Sequence, residues 1–88
     1  MITKHLTIRN PEGLHIRAAA RIRRISLQQR CAVVLQNESG EKAGTESLIE
    51  MLSLGAVSGT PLHVTIMGDN AKSTLVMIEE VFENGAGI

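Results

Sequence analysis

The order of two kinds of apolar spacing is the feature that most restricts how this chain can fold. Segments with an apolar residue at every second position, as half-buried strands have, alternate with segments in which apolar residues recur every three or four positions, as in helices. The predicted order is strand, helix, strand, strand, helix, strand, helix. This order favours an α+β fold, in which a four-stranded antiparallel sheet carries three helices on one face and meets solvent on the other.

Four segments are predicted as strands. The first lies within residues 2–8, the second spans Cys31 to Gln36, the third is the short polar segment Glu41 to Ala43, and the fourth follows the turn over residues 58–61. A turn over residues 37–40 joins the second and third strands as a hairpin. Side chains alternate between the two faces of a strand, and the polar positions predict a solvent-facing side lined by His5, Thr7, His63 and Thr65.

Three segments are predicted as helices. The first runs from Ile16 to Gln29. Its buried face is predicted to comprise Ala18, Ala19, Ile22, Ile25 and Ser26. The second begins after Ser47 and stops at residues 54–55, and Ser47 and Glu50 fit a capping box in which each side chain accepts the other residue's backbone N–H. The third follows residues 68–70 and ends at residues 84–85, and the final three residues are expected to fray.

The first helix differs from the other two because it begins on a histidine. Residues 10–13, Asn-Pro-Glu-Gly, predict a type I turn that leads into the helix with no Ser, Thr, Asp or Asn at the cap position. The backbone N–H groups of the first turn are therefore expected to be open to another acceptor. With the positive end of the helix dipole and the guanidinium of Arg17, they predict a site for a phosphoryl group beside His15.

His15 is the predicted nucleophile of this site. The helix N-terminus and Arg17 disfavour a further positive charge, so the imidazole is expected to be neutral, with one ring nitrogen free to accept a phosphoryl group. The negative charge of the resulting phosphohistidine would lie where the same groups stabilise it. The competing interpretation is that His15 is only a solvated cap, but the polar caps predicted for the other two helices favour the chemical one.

Length and charge disfavour two classes of function. The chain of 88 residues is predicted to form one domain, residues 1–88, which is too small for an enzyme with a deep substrate cleft. Nine basic residues balance nine acidic residues, and Phe82 is the only aromatic residue. A nucleic-acid-binding surface of cations and stacking rings is therefore not expected.

Cysteine content and hydropathy predict the compartment. Cys31 is the only cysteine and lies in an apolar strand segment, which predicts a buried thiol and neither a disulfide nor a metal site. No apolar run approaches the length of a membrane span, and the N-terminal segment lacks the layout of a signal peptide. We therefore expect a cytoplasmic protein, and nothing in the sequence requires more than a monomer.

Two surface features are relevant to protein partners. Arg17, Arg21 and Arg24 follow one another at helical spacing, so this face either is simply solvated or steers an acidic partner toward His15. The second helix is apolar nearly all round, and a helix of about two turns cannot bury every apolar side chain against a small sheet. Part of it is predicted to form an exposed partner patch, and the alternative is that all of it belongs to the core.

The chain resembles the HPr family, the histidine-containing phosphocarrier proteins of the bacterial phosphoenolpyruvate-dependent phosphotransferase system, and their nitrogen-type paralogues named NPr. The segment GLHIRAA at residues 13–19 is similar to the family signature GLHARPA, and SLIEMLSLG at residues 47–55 is similar to the second family motif. The likeness covers essentially the whole chain. It implies the open-faced sandwich fold of this family and a carrier that is a protein substrate and not itself an enzyme.

The resemblance implies roles for individual residues. His15 would accept the phosphoryl group on Nδ1 from phosphorylated Enzyme I and pass it to a histidine of an Enzyme IIA component, while Arg17 would pair with that group. No cofactor of the chain's own is implied, because Enzyme I uses the phosphoenolpyruvate and magnesium. The residues that match the docking positions of family members are Ala20, Arg24, Leu48, Ile49 and Leu52.

Three positions are relevant to partner range and regulation. Ala18 stands where the family most often has proline, and little effect is expected because alanine is the best helix former. Ile16 replaces a residue that is usually small, and its bulk is expected to narrow the range of partners. Ser47 matches the serine that a dedicated HPr kinase phosphorylates in many family members, although Glu46 and Glu50 flank it here and Glu50 would repel a phosphate.

A second function class therefore stays open. The chain could be a regulatory interaction module that acts through phosphorylation of Ser47 or through the patch formed by Leu48, Ile49 and Leu52. The intact pair of His15 and Arg17 argues against this alternative, because pure regulators of this type can dispense with the histidine. The sequence leaves open whether the carrier serves sugar uptake or a nitrogen-type regulatory branch.

Overall fold

The computed structural model describes residues 1–84, and its elements follow the predicted order. They are β1 (Ile2–Thr7), α1 (Ile16–Gln29), β2 (Ala32–Gln36), β3 (Lys42–Gly44), α2 (Leu48–Ser53), β4 (Pro61–Met67) and α3 (Ala71–Asn84). The segment 86–88, for which fraying was expected, lies outside the described residues. Within those residues, no helix combines the length and the apolar character that crossing a membrane would require.

The four strands form one sheet in the order β1, β4, β2, β3, and all neighbouring pairs are antiparallel. β4 is therefore central, although it is the last strand along the chain. Its inward residues, Leu62, Val64 and Ile66, are fully buried, which agrees with the predicted alternation. The α+β fold, with a four-stranded antiparallel sheet covered by helices on one face, is confirmed.

The helices bury the faces that apolar spacing indicates. The buried residues of α1 are Ala18, Ala19, Ile22, Ile25 and Ser26, as predicted. The buried residues of α3 include Thr74, whose hydroxyl donates a hydrogen bond to Sγ of Cys31 at 3.3 Å. This contact satisfies a polar group inside the core. It also keeps the Cys31 thiol in the buried position that its apolar surroundings predict.

The second strand of the hairpin, β3, begins at Lys42, one residue later than predicted. Asn37 and Glu41 bond to each other three times: through both backbone N–H groups and through the side-chain amide of Asn37 at 2.8 Å from a Glu41 carboxylate oxygen. These bonds make Glu41 part of the turn. The ladder of β3 therefore starts at Lys42 and extends to Gly44.

Of the two hydrogen bonds predicted for the capping box at α2, the structure contains one. Ser47 Oγ accepts the N–H of Glu50 at 3.2 Å, as predicted. The carboxylate of Glu50 instead accepts the N–H of Gly44 at 3.0 Å, so its expected bond to the Ser47 amide is wrong. The Ser47 N–H already donates to the carbonyl of Gly44 at 3.2 Å, and this leaves the Gly44 N–H as the donor that needs an acceptor.

Candidate functional site

The loop between β1 and α1 is fixed by hydrogen bonds to two other parts of the chain and by hydrogen bonds within its own turn. The N–H of Asn10 donates to the carbonyl of Phe82 at the end of α3, at 3.0 Å. The predicted turn over residues 10–13 is present, because Gly13 N–H donates to the Asn10 carbonyl and the Asn10 side-chain amide donates back to the Gly13 carbonyl, both at 2.9 Å. Leu14 N–H donates to the carbonyl of Ala56 at 2.9 Å. These hydrogen bonds therefore fix the backbone position of the residues that precede His15.

Gly13 is required by this loop, and we expect Gly13→Ala to destabilise the fold more than Gly40→Ala. Both glycines have positive φ, +72° and +90°, but an added Cβ at Gly13 would lie 2.8 Å from the carbonyl oxygen of Ala56, whereas Gly40 faces open space. Both variants introduce backbone strain, and only Gly13→Ala adds a backbone overlap. We expect an excess loss of about 1–3 kcal/mol, measured by urea unfolding. Equal losses of unfolding free energy in the two variants would show that the loop adjusts to the added Cβ at no cost, which would contradict this prediction.

His15 is the N-cap of α1 and uses both of its ring nitrogens. Nδ1 accepts the backbone N–H of Arg17 at 3.2 Å, and Nε2 lies 3.1 Å from Oε1 of Glu12. Because Nδ1 accepts a hydrogen, it carries the lone pair, and the ring proton lies on Nε2 and is donated to the carboxylate. The contacts therefore assign the lone pair to Nδ1, and the role of His15 as the nucleophile stays a prediction.

The first turn of α1 is less open than the sequence indicated. The His15 ring takes the place of the missing oxygen cap, so the prediction that all first-turn donors stay open is wrong for the N–H of Arg17. The first N–H that bonds back along the helix is that of Ala19, to the His15 carbonyl at 2.9 Å. The N–H groups of Ile16 and Ala18 have no acceptor within the helix. No acidic residue lies in this turn, so the N-terminus keeps its positive end.

Glu12 is the site residue that sequence reasoning missed. It lies in the predicted turn, three residues before His15, and its side chain is 74% exposed against 25% for the histidine. The available signal was this short spacing across a turn that folds the chain back on itself. The sequence assigned this residue only to the type I turn over residues 10–13.

Arg17 has an exposed side chain whose guanidinium is not committed elsewhere. Among residues 1–84, the ion pairs join other residues, and none includes Arg17. A guanidinium keeps its charge at all relevant pH values and presents a planar fork of donors that matches phosphate oxygens. An uncommitted cation two residues from His15 is therefore available to an incoming anion.

Comparison with known proteins decides the family. The family model described as PTS HPr component phosphorylation site matches residues 2–84. This chain belongs to the HPr family. The resemblance seen in its motifs is thereby confirmed, and with it membership of a phosphocarrier family of the phosphotransferase system.

Two curated relatives and one solved structure show the extent of the likeness. The chain is 32% identical to the phosphocarrier protein HPr of Chlamydia trachomatis, over 92% of this chain and 73% of that protein. It is 28% identical to the phosphocarrier protein NPr of Proteus mirabilis, over 93% of this chain and 91% of that protein. The crystal structure of HPr-C-His from Thermoanaerobacter tengcongensis matches with a TM-score of 0.84 at 22% identity, covering 94% and 92% of the two chains, and it shares the open-faced sandwich fold.

The residues at HPr docking positions divide into exposed and packed ones. Ala20 and Arg24 lie on the exposed face of α1. In α2, Ile49 is 78% exposed and Leu52 is 37% exposed, while Leu48 packs partly against the core. The interpretation that the whole of α2 belongs to the core is therefore wrong for Ile49 and Leu52. Their docking role stays a prediction.

Proposed function

We propose that this HPr-family chain accepts a phosphoryl group on Nδ1 of His15 from Enzyme I and passes it to an Enzyme IIA component. The observation that carries the proposal is the ring geometry. The lone pair of Nδ1 faces the N-terminus of α1, while Glu12 occupies Nε2 on the other side of the ring. In this proposal the chain is a monomeric protein substrate in the cytoplasm, and not an enzyme.

The transfer onto His15 is a displacement at phosphorus. The lone pair of Nδ1 forms the new N–P bond as the bond between phosphorus and the donor group of Enzyme I breaks, and that bond's electron pair returns to the donor. The Arg17 N–H, which is 3.2 Å from Nδ1 and so at the weak end of hydrogen-bond lengths, turns to a phosphoryl oxygen. The N–H groups of Ile16 and Ala18 and the Arg17 guanidinium then stabilise the new negative charge.

Glu12 accepts the Nε2 proton that makes phosphorylated His15 a good leaving group. Because Nε2 keeps its proton during the attack, phosphorylated His15 is an imidazolium, and its positive charge lies next to the Glu12 carboxylate. When Nδ1 later loses the phosphoryl group to Enzyme IIA, a neutral imidazole departs, which is easier than the departure of an anion. The carboxylate and the phosphoryl group are at opposite ring nitrogens, which limits their repulsion.

We expect Glu12→Ala to lower the fraction of the tautomer with the proton on Nε2, because that proton loses its acceptor. NMR shifts of the two His15 ring nitrogens measure this fraction directly. Transfer to Enzyme IIA should slow by no more than about fivefold, since exposed charge pairs contribute little. Glu12→Gln is the matched control, because its amide oxygen still accepts from Nε2 and should keep the tautomer. An unchanged tautomer in Glu12→Ala would contradict the positioning role.

Docking is proposed to use the exposed apolar side chains near His15, and Ile49→Asp tests this. We expect the variant to fold normally, since Ile49 is 78% exposed, and to bind Enzyme I at least about tenfold more weakly, because a charge would be buried in the interface. Val76→Asp makes the same change at a 57% exposed residue of α3 and should leave binding unchanged. Titration calorimetry measures both. Equal losses in the two variants would contradict the patch.

The regulatory alternative has less support. Ser47 Oγ accepts the N–H of Glu50, and the Glu50 carboxylate is bonded to Gly44 close by. A phosphate on Ser47 would place two further negative charges beside that carboxylate and would disturb the cap of a six-residue helix. These contacts favour a structural cap as the role of Ser47, and phosphorylation by a kinase stays a prediction.

The experiment that tests the carrier proposal is an intact-mass measurement. The protein is incubated with phosphoenolpyruvate, magnesium and a purified Enzyme I, one from a sugar branch and one from a nitrogen branch, and is then treated briefly with acid. We expect one added phosphoryl group that acid removes, and the faster donor identifies the branch. No adduct with either donor, while an established HPr is phosphorylated in the same mixture, would contradict the proposal and favour the regulatory module.

A further inference from the structure

The outer face of the sheet brings together three side chains that phosphoryl transfer does not use. His5 on β1 and His63 on β4 are register partners, so their side chains project from the same face, and their Nε2 atoms are 2.8 Å apart. Glu38, in the turn between β2 and β3, adds a carboxylate oxygen. One ligand atom of each residue lies within 4.8 Å of the others, and no second group of this kind occurs in residues 1–84.

We propose that His5, His63 and Glu38 bind a divalent first-row transition-metal ion such as Zn²⁺. Two imidazole nitrogens and one carboxylate oxygen are a donor set that suits Zn²⁺ and its neighbours, whereas Mg²⁺ prefers an all-oxygen shell. His5 and Glu38 are exposed, so water molecules can complete the coordination. The site lies on different elements from His15 and is independent of the carrier proposal.

The two rings must open outward to hold an ion. The ring planes are tilted by 56°, and the centroids are 3.8 Å apart, so the rings converge at their Nε2 atoms. Two nitrogens at about 2.0–2.1 Å from a tetrahedral Zn²⁺ are about 3.4 Å apart. The Nε2 atoms must therefore separate by about half an ångström from their 2.8 Å contact. The ring centroids must separate further, from 3.8 Å to roughly 5 Å, because each lone pair lies in its ring plane and has to point at the ion. Rotation of the exposed His5 about its side-chain torsions can supply this movement.

The hydrogen bond between the rings is the competing explanation for their contact. One Nε2 donates a proton and the other accepts it, so the pair is satisfied without an ion. A cation would replace this proton, which moves to Nδ1 of the same ring and leaves both Nε2 lone pairs facing the metal. Across the sheet, the register partners that follow His63 are Gln36 on β2 and Lys42 on β3. The positive charge of Lys42 therefore lies two strands away from His63.

The test is a calorimetric titration of tag-free protein with Zn²⁺. We expect one ion per chain for the wild type and for His15→Ala, which removes the remaining histidine of the sequence. His5→Gln, His63→Gln and Glu38→Gln should each bind at least about tenfold more weakly. Zn²⁺ should also raise the Tm of the wild type and of His15→Ala but not that of His63→Gln, and Mg²⁺ should raise none of them.

Three results would overturn this proposal. They are no binding by the wild type, equal Zn²⁺ affinity in the wild type and His63→Gln, and a loss of affinity in His15→Ala. The last two would place the ion elsewhere. Circular dichroism checks that each variant is folded, and Glu38→Gln, in an exposed turn, keeps the test valid if a strand variant unfolds. Phosphorylation of His15 is measured separately, so failure of either proposal leaves the other intact.

Discussion

His15→Ala protein is expected to acquire no phosphoryl group from Enzyme I and phosphoenolpyruvate, whereas the wild type acquires one that brief acid treatment removes. The reason is that the variant lacks the Nδ1 at the N-terminus of α1 on which we propose the phosphoryl group is carried, with Arg17 and the first-turn N–H groups stabilising its charge. The other two histidines lie on the outer face of the sheet and bond to each other, away from these donors. Intact mass, with and without acid, measures the result.

The loss must be separated from an effect on the fold, since His15 also caps α1. Removing a cap costs about 1 kcal/mol, so His15→Ala should stay folded with a modestly lower Tm. His15→Asn is the matched variant, because asparagine is a good N-cap and forms no acid-labile phosphoryl adduct. It should keep the stability and still lose phosphorylation. An acid-labile phosphoryl group on either variant would place the acceptor at another residue.

Arg17→Glu is expected to slow phosphorylation by on the order of a hundredfold. The substitution removes an uncommitted guanidinium two residues from His15 and replaces it with a carboxylate, which would repel the negative charge of the phosphoryl oxygens. Electrostatic donors aimed at such charge contribute this much in other transfer sites. Quenched-flow measurement of the transfer rate from phosphorylated Enzyme I gives the value.

Two control variants distinguish this local effect from a change in overall charge. Arg21→Glu alters the same exposed face of α1 one turn later, and its smaller effect should disappear at high salt if that face only steers a partner. Lys72→Glu makes the same charge change on α3 and should leave the rate of phosphoryl transfer unchanged. Equal slowing by Arg17→Glu and Arg21→Glu at high salt would contradict a direct contact between Arg17 and the phosphoryl group.

Local pattern was sufficient to predict the elements. The bounds of α1 were predicted correctly, because its apolar spacing begins directly after the turn at residues 10–13 and stays on one face through Ser26. The end of α2 was predicted from Gly55, whose φ of +61° is the left-handed conformation that a stop at glycine requires. Both signals depend on residues within one or two turns of each other, so they can be seen in a single sequence.

Side-chain partners were harder to predict, since each depends on which donors remain unpaired. The capping box failed at Glu50 because the Gly44 N–H at the end of β3 competes for the same carboxylate. The contact between Glu12 and His15 was missed because it needs the exact path of the loop, which Asn10 and Ala56 fix from outside the motif. Sequence shows that acceptors and donors are present, but the fold decides which of them meet.

The pairing of His5 with His63 shows the same limit at longer range. Alternation placed both residues on the solvent-facing side of the sheet, but it carried no information on strand order or register. The two residues are 58 positions apart, and they meet only because β4 lies between β1 and β2. The prediction of no metal site considered the single cysteine and did not consider this pair.

The central position of β4 also has a consequence for how the chain is made. On the ribosome, β1 emerges first but lacks its partner, and of the strand pairs only the hairpin of β2 with β3 can form before Pro61–Met67 is synthesised. Until then the apolar residues of β1 and β2 have no central strand to pair with, which is a state prone to aggregation and to capture by chaperones. The complete sheet can therefore form only after β4 has been synthesised, and we expect a chain that ends before β4 to lack a stable fold.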